Sequence, residues 1–188
     1  MPDELRAQFK TPPPRYADYA AAVAPLLLER YGTGPDAPRS ILEPGMGLLS
    51  DTFEFVCRVE ATKTVDGKHH AIAAGSIYNV KPTLNKFDLP MDVVHAAAPT
   101  GPERNWTVSG ATCMEIDIMH SGLHTALSVG DDLVFMNTGA YTVVLQPPFI
   151  LPAPAIITVH ADLRTTLARR AETLDDLMRT YTTTDTPA

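Results

Sequence analysis

The chain has 188 residues, 45% of them hydrophobic and 20% charged, with a formal net charge of −7 and two cysteines. That length supports one good core with an appendage, and the acidic balance argues against nucleic acid or an anionic membrane as partner. Two cysteines are too few for a disulfide framework. No apolar run approaches the roughly 20 residues that span a bilayer, and MPDELRAQFK lacks the basic and apolar regions of a secretory signal, so the expected compartment is the cytoplasm.

The stretch through Thr11, Pro12, Pro13 and Pro14 reads as a connector, because consecutive prolines remove amide donors. YADYAAAVAPLLLERY, residues 16–31, favours a helix bent or interrupted at Pro25 and stopped at Gly32. Ser40-Ile41-Leu42 reads as a brief buried strand breaking into the Glu43-Pro44-Gly45 turn. Residues 53–62 alternate apolar and polar, a strand running toward an Asp66-Gly67 turn with His70 to Ala74 returning beside it.

Further strands are expected at 92–96, 106–109, 132–136, 141–145 and 155–160, giving an antiparallel β domain. Leucines at 163, 167, 174 and 177 near helical spacing predict a final helix over 163–181, before a polar TTTDTPA tail. The organisation expected is therefore 1–45 as one β/α unit, 46–162 as a β domain and 163–188 as terminal helix and tail.

No self-sufficient catalytic signature is present: there is no GxSxG, no glycine-rich phosphate loop before a helix and no HExxH. His120 and His124 have the spacing of a metal pair, but Ser121-Gly122 between them argues for a loop, and no metal is assigned. The Asn105-Trp106-Thr107 sequon has no secretory context and is set aside.

Four segments stand in order: Glu43-Pro44-Gly45, Gly110-Ala111-Thr112-Cys113-Met114-Glu115-Ile116-Asp117, Val129-Gly130-Asp131-Asp132-Leu133-Val134-Phe135, and Gly139-Ala140-Tyr141-Thr142. This order resembles the C-terminal half of the fold-type III, pyridoxal-phosphate (PLP) dependent decarboxylases of ornithine, diaminopimelate and related amino acids. The resemblance implies a mainly β, α+β architecture: the family's C-terminal β-barrel or sheet domain with flanking helices, preceded by the remnant last β/α unit of a TIM barrel. It implies Glu43 beside the pyridine nitrogen, Gly45 and its neighbours around the phosphate, Tyr141 beside the cofactor, and Cys113 reaching across a dimer interface as a thiol that steers a proton. Glu115 and Asp117 are the candidate substrate contacts, and Cys57 is assigned to inert packing.

The chain departs from the family at Met46, where an arginine that pairs with the phosphate is usual. The Ala74-Gly75-Ser76-Ile77-Tyr78-Asn79 segment is similar to the one near the family's substrate entrance. None of Lys10, Lys63, Lys68, Lys81 and Lys86 stands in the context of the family's cofactor lysine, so the resemblance implies PLP shared with a separate barrel-containing chain in a hetero-oligomer built on a dimer. Two alternatives stand beside this split decarboxylase: a non-catalytic decoy or regulator that binds a decarboxylase protomer, and a fragment of a full-length enzyme. The substrate stays open among ornithine, lysine, diaminopimelate and a specialised amino acid.

Overall fold

A computed structural model describes residues 14–84 and 86–181, so the connector through Thr11 to Pro13, Lys10 and the TTTDTPA tail lie outside the described residues. The chain divides into two compact units, Met1–Leu48 and Leu49–Ala188.

In the first unit, helix α1 (Tyr16–Tyr31) runs through Pro25 unbroken. Gly32 ends it at φ +67°, a left-handed-side conformation that glycine adopts without strain, and its N–H returns to the Leu28 carbonyl. At the other end the Asp18 carboxylate accepts from the Arg15 amide at 2.9 Å. Every residue of α1 is exposed, including Val23, Leu26, Leu27 and Leu28. Ser40-Ile41-Leu42 does not form the strand its apolar run suggests: no strand pairs with it among the described residues, and Ile41 and Leu42 are 73% and 79% exposed. A strand exists only where a neighbour takes its hydrogen bonds.

The second unit is built on a six-stranded sheet of β1 (Phe55–Val65), β2 (Lys68–Ala73), β3 (Met91–Val94), β4 (Arg104–Ser109), β5 (Ile118–Thr125) and β6 (Asp132–Phe135), in the order β3-β6-β1-β2-β4-β5. The long β1 serves two neighbours in succession: residues 55–58 pair with β6 and residues 59–65 with β2. Asp66 and Gly67 turn the β1–β2 hairpin with φ +49° and +75°, the backbone a two-residue primed turn demands. The sheet is mixed rather than antiparallel throughout, because β2 and β4 are parallel and the connection between them carries α3 (Ile77–Val80) and β3. A parallel neighbour requires such a crossover. Its core joins Val59, Ala71, Ala73, Val108, Met119, Leu133 and Phe135, each fully buried. These residues alternate along their strands, so one face of the sheet carries the apolar burial.

Three further differences from the sequence-based expectation have local causes. The segment around His120 is the strand β5, with Gly122 at φ +76° taken up where the β4–β5 register shifts. Residues 141–145 form a turn, Val144 and Leu145 both donating to the Tyr141 carbonyl. The 163–181 segment is not one helix: β8 (Thr165–Arg169) pairs antiparallel with β7 (Ile156–Val159), and only α4 (Leu174–Met178) is helical. Leu163 lies in the turn before β8 at φ +64° and only Leu167 is on the strand, and Thr165-Thr166 tips the segment toward the strand. The short α2 (Met46–Leu49) completes the described α-helices, and a 3-10 turn follows it at Ser50–Thr52.

Candidate functional site

In the first unit, Glu43-Pro44-Gly45 is a tight turn with Gly45 at φ +44°, closed by Gly47 N–H to the Pro44 carbonyl at 3.0 Å and Leu48 N–H to the Gly45 carbonyl at 3.1 Å. Tyr16 on α1 donates its hydroxyl to the Gly47 carbonyl at 2.6 Å, tying helix to turn. Glu43 and Met46 are both exposed. The turn therefore presents the Glu43 carboxylate outward, with no guanidinium at position 46.

In the second unit, Gly110 to Asp117 forms a loop between β4 and β5 whose base is closed by Gly110 N–H to the Asp117 carbonyl at 2.9 Å. Cys113 and Glu115 are exposed near its apex. Asp117, expected to contact substrate, is instead 1% exposed, and its carboxylate is already taken. Oδ1 accepts the Ile77 amide at 2.6 Å, while Oδ2 accepts the Thr112 amide at 3.0 Å and the Thr112 hydroxyl at 2.5 Å. A Cβ on Gly110 would collide with both carboxylate oxygens, so glycine there makes the room that Asp117 occupies. Ala111 N–H reaches the Gly75 carbonyl at 2.8 Å, which joins the loop to the Gly75–Asn79 segment.

Tyr141 lies on a separate turn, at φ +68° and 44% exposed. A bulky residue in that region costs on the order of 1–2 kcal/mol, and surrounding contacts sustain it. Thr138 N–H donates to Phe53, Gly139 N–H donates to Ser50, and the Thr142 hydroxyl donates to the Thr138 carbonyl. A Cβ on Gly139 would overlap the Leu49 carbonyl and press on Thr52. Thr142 also lines a cavity of about 880 Å³ with Phe55, Val56, Asn79, Ile157 and Arg169, but neither Tyr141 nor Cys113 is part of its wall.

The aspartates of the Gly130-Asp131-Asp132 segment are structural. Burial would raise the Asp131 carboxyl, but hydrogen bonds from His95 and the Ser128 and Ala96 amides outweigh it and hold the group below its ordinary value. Asp132 pairs with Arg58 at 2.9 Å across β1 and β6. Cys57 is buried in the core, where desolvation and then Asp132 push its thiol up to about 12. His120 is buried 3.9 Å from Asp88, while exposed His124 meets Asn105 and Glu103. Among the described residues no group of three His, Cys, Asp or Glu side chains is placed to hold a metal ion.

The lysines bear on cofactor anchoring. Lys81 is buried with its ammonium 2.9 Å from Asp88, so it is committed to an ion pair, and Lys63 and Lys68 lie on the β1–β2 hairpin. Burial of Lys81 was not legible in the sequence, which carries no signal for it beyond a nearby aspartate.

A family model described as "Pyridoxal-dependent decarboxylase, C-terminal sheet domain" matches residues 46–139. Among solved structures, diaminopimelate decarboxylase from Helicobacter pylori complexed with L-lysine is 20% identical with a TM-score of 0.73, the match covering 90% of this chain and 40% of that one. Diaminopimelate decarboxylase from M. jannaschii is 18% identical with a TM-score of 0.75, covering 93% and 40%. The Paramecium bursaria Chlorella virus arginine decarboxylase bound to agmatine is 18% identical with a TM-score of 0.59, covering 70% and 36%. The chain thus spans about 40% or less of the length of these structures. At these identities the likeness establishes the shared fold.

Proposed function

The chain belongs to the pyridoxal-dependent decarboxylase family, as its C-terminal sheet domain, and from that we propose that it serves as the sheet-domain half of an amino-acid decarboxylase, completed by a barrel-bearing chain. PLP, when bound, supplies an electron sink for the carbon that loses carbon dioxide. The residues present fit its periphery and not its anchor. Glu43 offers a carboxylate for the pyridine nitrogen, the Gly45 turn offers amides to the phosphate, and Tyr141 offers a phenol with an apolar ring. Cys113 holds an exposed thiol able to donate or steer a proton, and Glu115 on the same loop offers a carboxylate to a cationic substrate end.

The observation that carries the reading is that Glu43, Cys113 and Tyr141 are all exposed, each on a shaped turn or loop, while Lys81 is locked to Asp88. Residues retained for packing would be buried. The exposed apolar side chains of α1 support a covering partner, since an unpartnered run of Val23 and Leu26 to Leu28 leaves a large apolar surface in water. With Met46 where the family has its phosphate arginine, the balancing cation would have to come from that partner.

The test is to purify the chain alone and co-expressed with the barrel-bearing chain encoded nearest to it, then measure bound PLP by absorbance and carbon dioxide release from ornithine, lysine, arginine and diaminopimelate. Retained PLP and release only in the co-expressed sample, both reduced by Glu43→Ala, are expected. Co-purification of two chains with neither PLP nor carbon dioxide release would sink the catalytic reading in favour of a decoy or regulator.

A further inference from the structure

We propose that Asp117 is the positioning residue of the Cys113 loop, a buried clamp that fixes the direction in which Cys113 and Glu115 leave the protein and couples that apex to the Gly75–Asn79 segment. The inference rests on the reading of Cys113 and Glu115 as site residues only for its bearing on catalysis; the clamp stands on geometry.

A loop with both its cysteine and glutamate in solvent has few packing contacts of its own, and hydrogen bonds must define it. Those bonds converge on one group. The Asp117 carboxylate receives three donors from two separate stretches of chain, the Ile77 amide on one oxygen and the Thr112 amide and hydroxyl on the other. The Thr112 hydroxyl passes the constraint onward by accepting the Met114 amide at 3.4 Å, and the Asp117 amide donates to the Met114 carbonyl at 3.0 Å. Met114 sits between Cys113 and Glu115, so the apex is held from both sides. Below it, Ala111 bonds to Gly75, and Ser76 and Asn79 bond to each other, the Ser76 amide donating to Asn79 Oδ1 at 2.9 Å. The acceptor needs no solvent: a fully buried carboxylate with its donors in place is rigid where an exposed one is not.

Asparagine cannot take over. Its side chain has one acceptor oxygen, and its NH₂ would oppose either the Ile77 or the Thr112 amide whichever way it is turned. Thr112→Val keeps the Asp117 charge and removes only the hydroxyl links, while Thr112→Ser restores them.

The experiment measures the rate at which an aromatic disulfide reagent modifies Cys113 in the full chain, with Cys113→Ser as the blank. Burial holds Cys57 up to about 12, so it stays silent near neutral pH. Cys113 is already exposed, so the rate reads the fixed direction of its thiol rather than its uncovering: it is expected to change by about tenfold in Asp117→Asn, less in Thr112→Val, and to stay at the parent value in Thr112→Ser. A change confined to Asp117→Asn is a charge effect on the thiol and overturns the clamp, as does no change in either variant. Should Asp117→Asn fail to fold, the Thr112→Val and Thr112→Ser pair decides alone. The same variants in the assembled enzyme separate the two claims: altered thiol rates with unchanged carbon dioxide release keep the clamp and remove Cys113 from the reaction.

Discussion

Replacing Lys81 by methionine tests the least expected feature of the sheet domain, an ion pair sealed within it. Lys81 and Asp88 are 5% and 7% exposed, with Nζ 2.9 Å from Oδ1. The other carboxylate oxygen accepts the Ser121 amide at 2.8 Å and the Ser121 hydroxyl at 2.7 Å, so the network ties the end of α3 to β5. Removing one partner of a buried pair costs about 3–5 kcal/mol because the other is left charged and dry. Asp88 keeps both Ser121 bonds here, which places Lys81→Met near the low end, about 3 kcal/mol.

Urea unfolding followed by fluorescence of Trp106, the sole tryptophan and a core residue, reads this as a midpoint lowered by roughly 1–2 M at unchanged slope. The pH dependence has a definite sign. Burial raises the Asp88 carboxyl, but Ser121, Lys81 and His120 together hold it below its ordinary value. A depressed carboxyl contributes stability that is present above the unfolded value of about 3.9 and lost as pH falls through the folded value. The difference between parent and Lys81→Met should therefore be full at pH 7 and shrink below about pH 4. A loss under about 1 kcal/mol at pH 7, or losses for Lys81→Met and Asp88→Asn that simply add, refutes the coupling.

Other outcomes follow from the same geometry. Iodoacetamide at pH 8 should place a single label per chain, on Cys113, because burial and then Asp132 push the Cys57 thiol up to about 12; mass spectrometry of the digest checks this. Gly139→Ala should destabilise by about 3 kcal/mol, the upper end for overpacking, because the obstacle is the Leu49 carbonyl rather than a side chain that can swing away; the Trp106-monitored urea midpoint measures it. Tyr141→Gly should leave stability unchanged or raised by up to about 1 kcal/mol, since it relieves a positive φ, while lowering PLP retention in the two-chain assembly proposed above.

Much of the fold was legible because its signals are local. The Asp66-Gly67 turn and the alternation before it specify the β1–β2 hairpin without reference to the rest of the chain. The parallel pairing of β2 with β4 was not legible, because neither strand differs from an antiparallel one in composition. The 163–169 segment misled because Leu163 and Leu167 fall at helical spacing in the sequence, whereas in the fold one sits in a turn and the other on β8. Of the site, the residue types in the ordered motifs were visible, but burial divides them by role. Asp117 and Asp131 look like surface carboxylates in the sequence, and only the folded loops turn them inward to gather amides. Nothing in a one-dimensional string distinguishes an aspartate that meets a substrate from one that holds up the loop beside it.

The division of β1 between two neighbours has a temporal consequence. Its second half finds β2 a few residues away, so that hairpin can form as soon as both arms exist. Its first half must wait for Phe135 to meet Phe55 across the whole of the intervening sheet. On a ribosome the hairpin would emerge early with Phe55 to Arg58 still open along one side, and closure would come only after β6 has left the exit tunnel. Long-range pairings of this kind set the pace of folding. During that interval the exposed half-strand is the part of the protein most in need of protection.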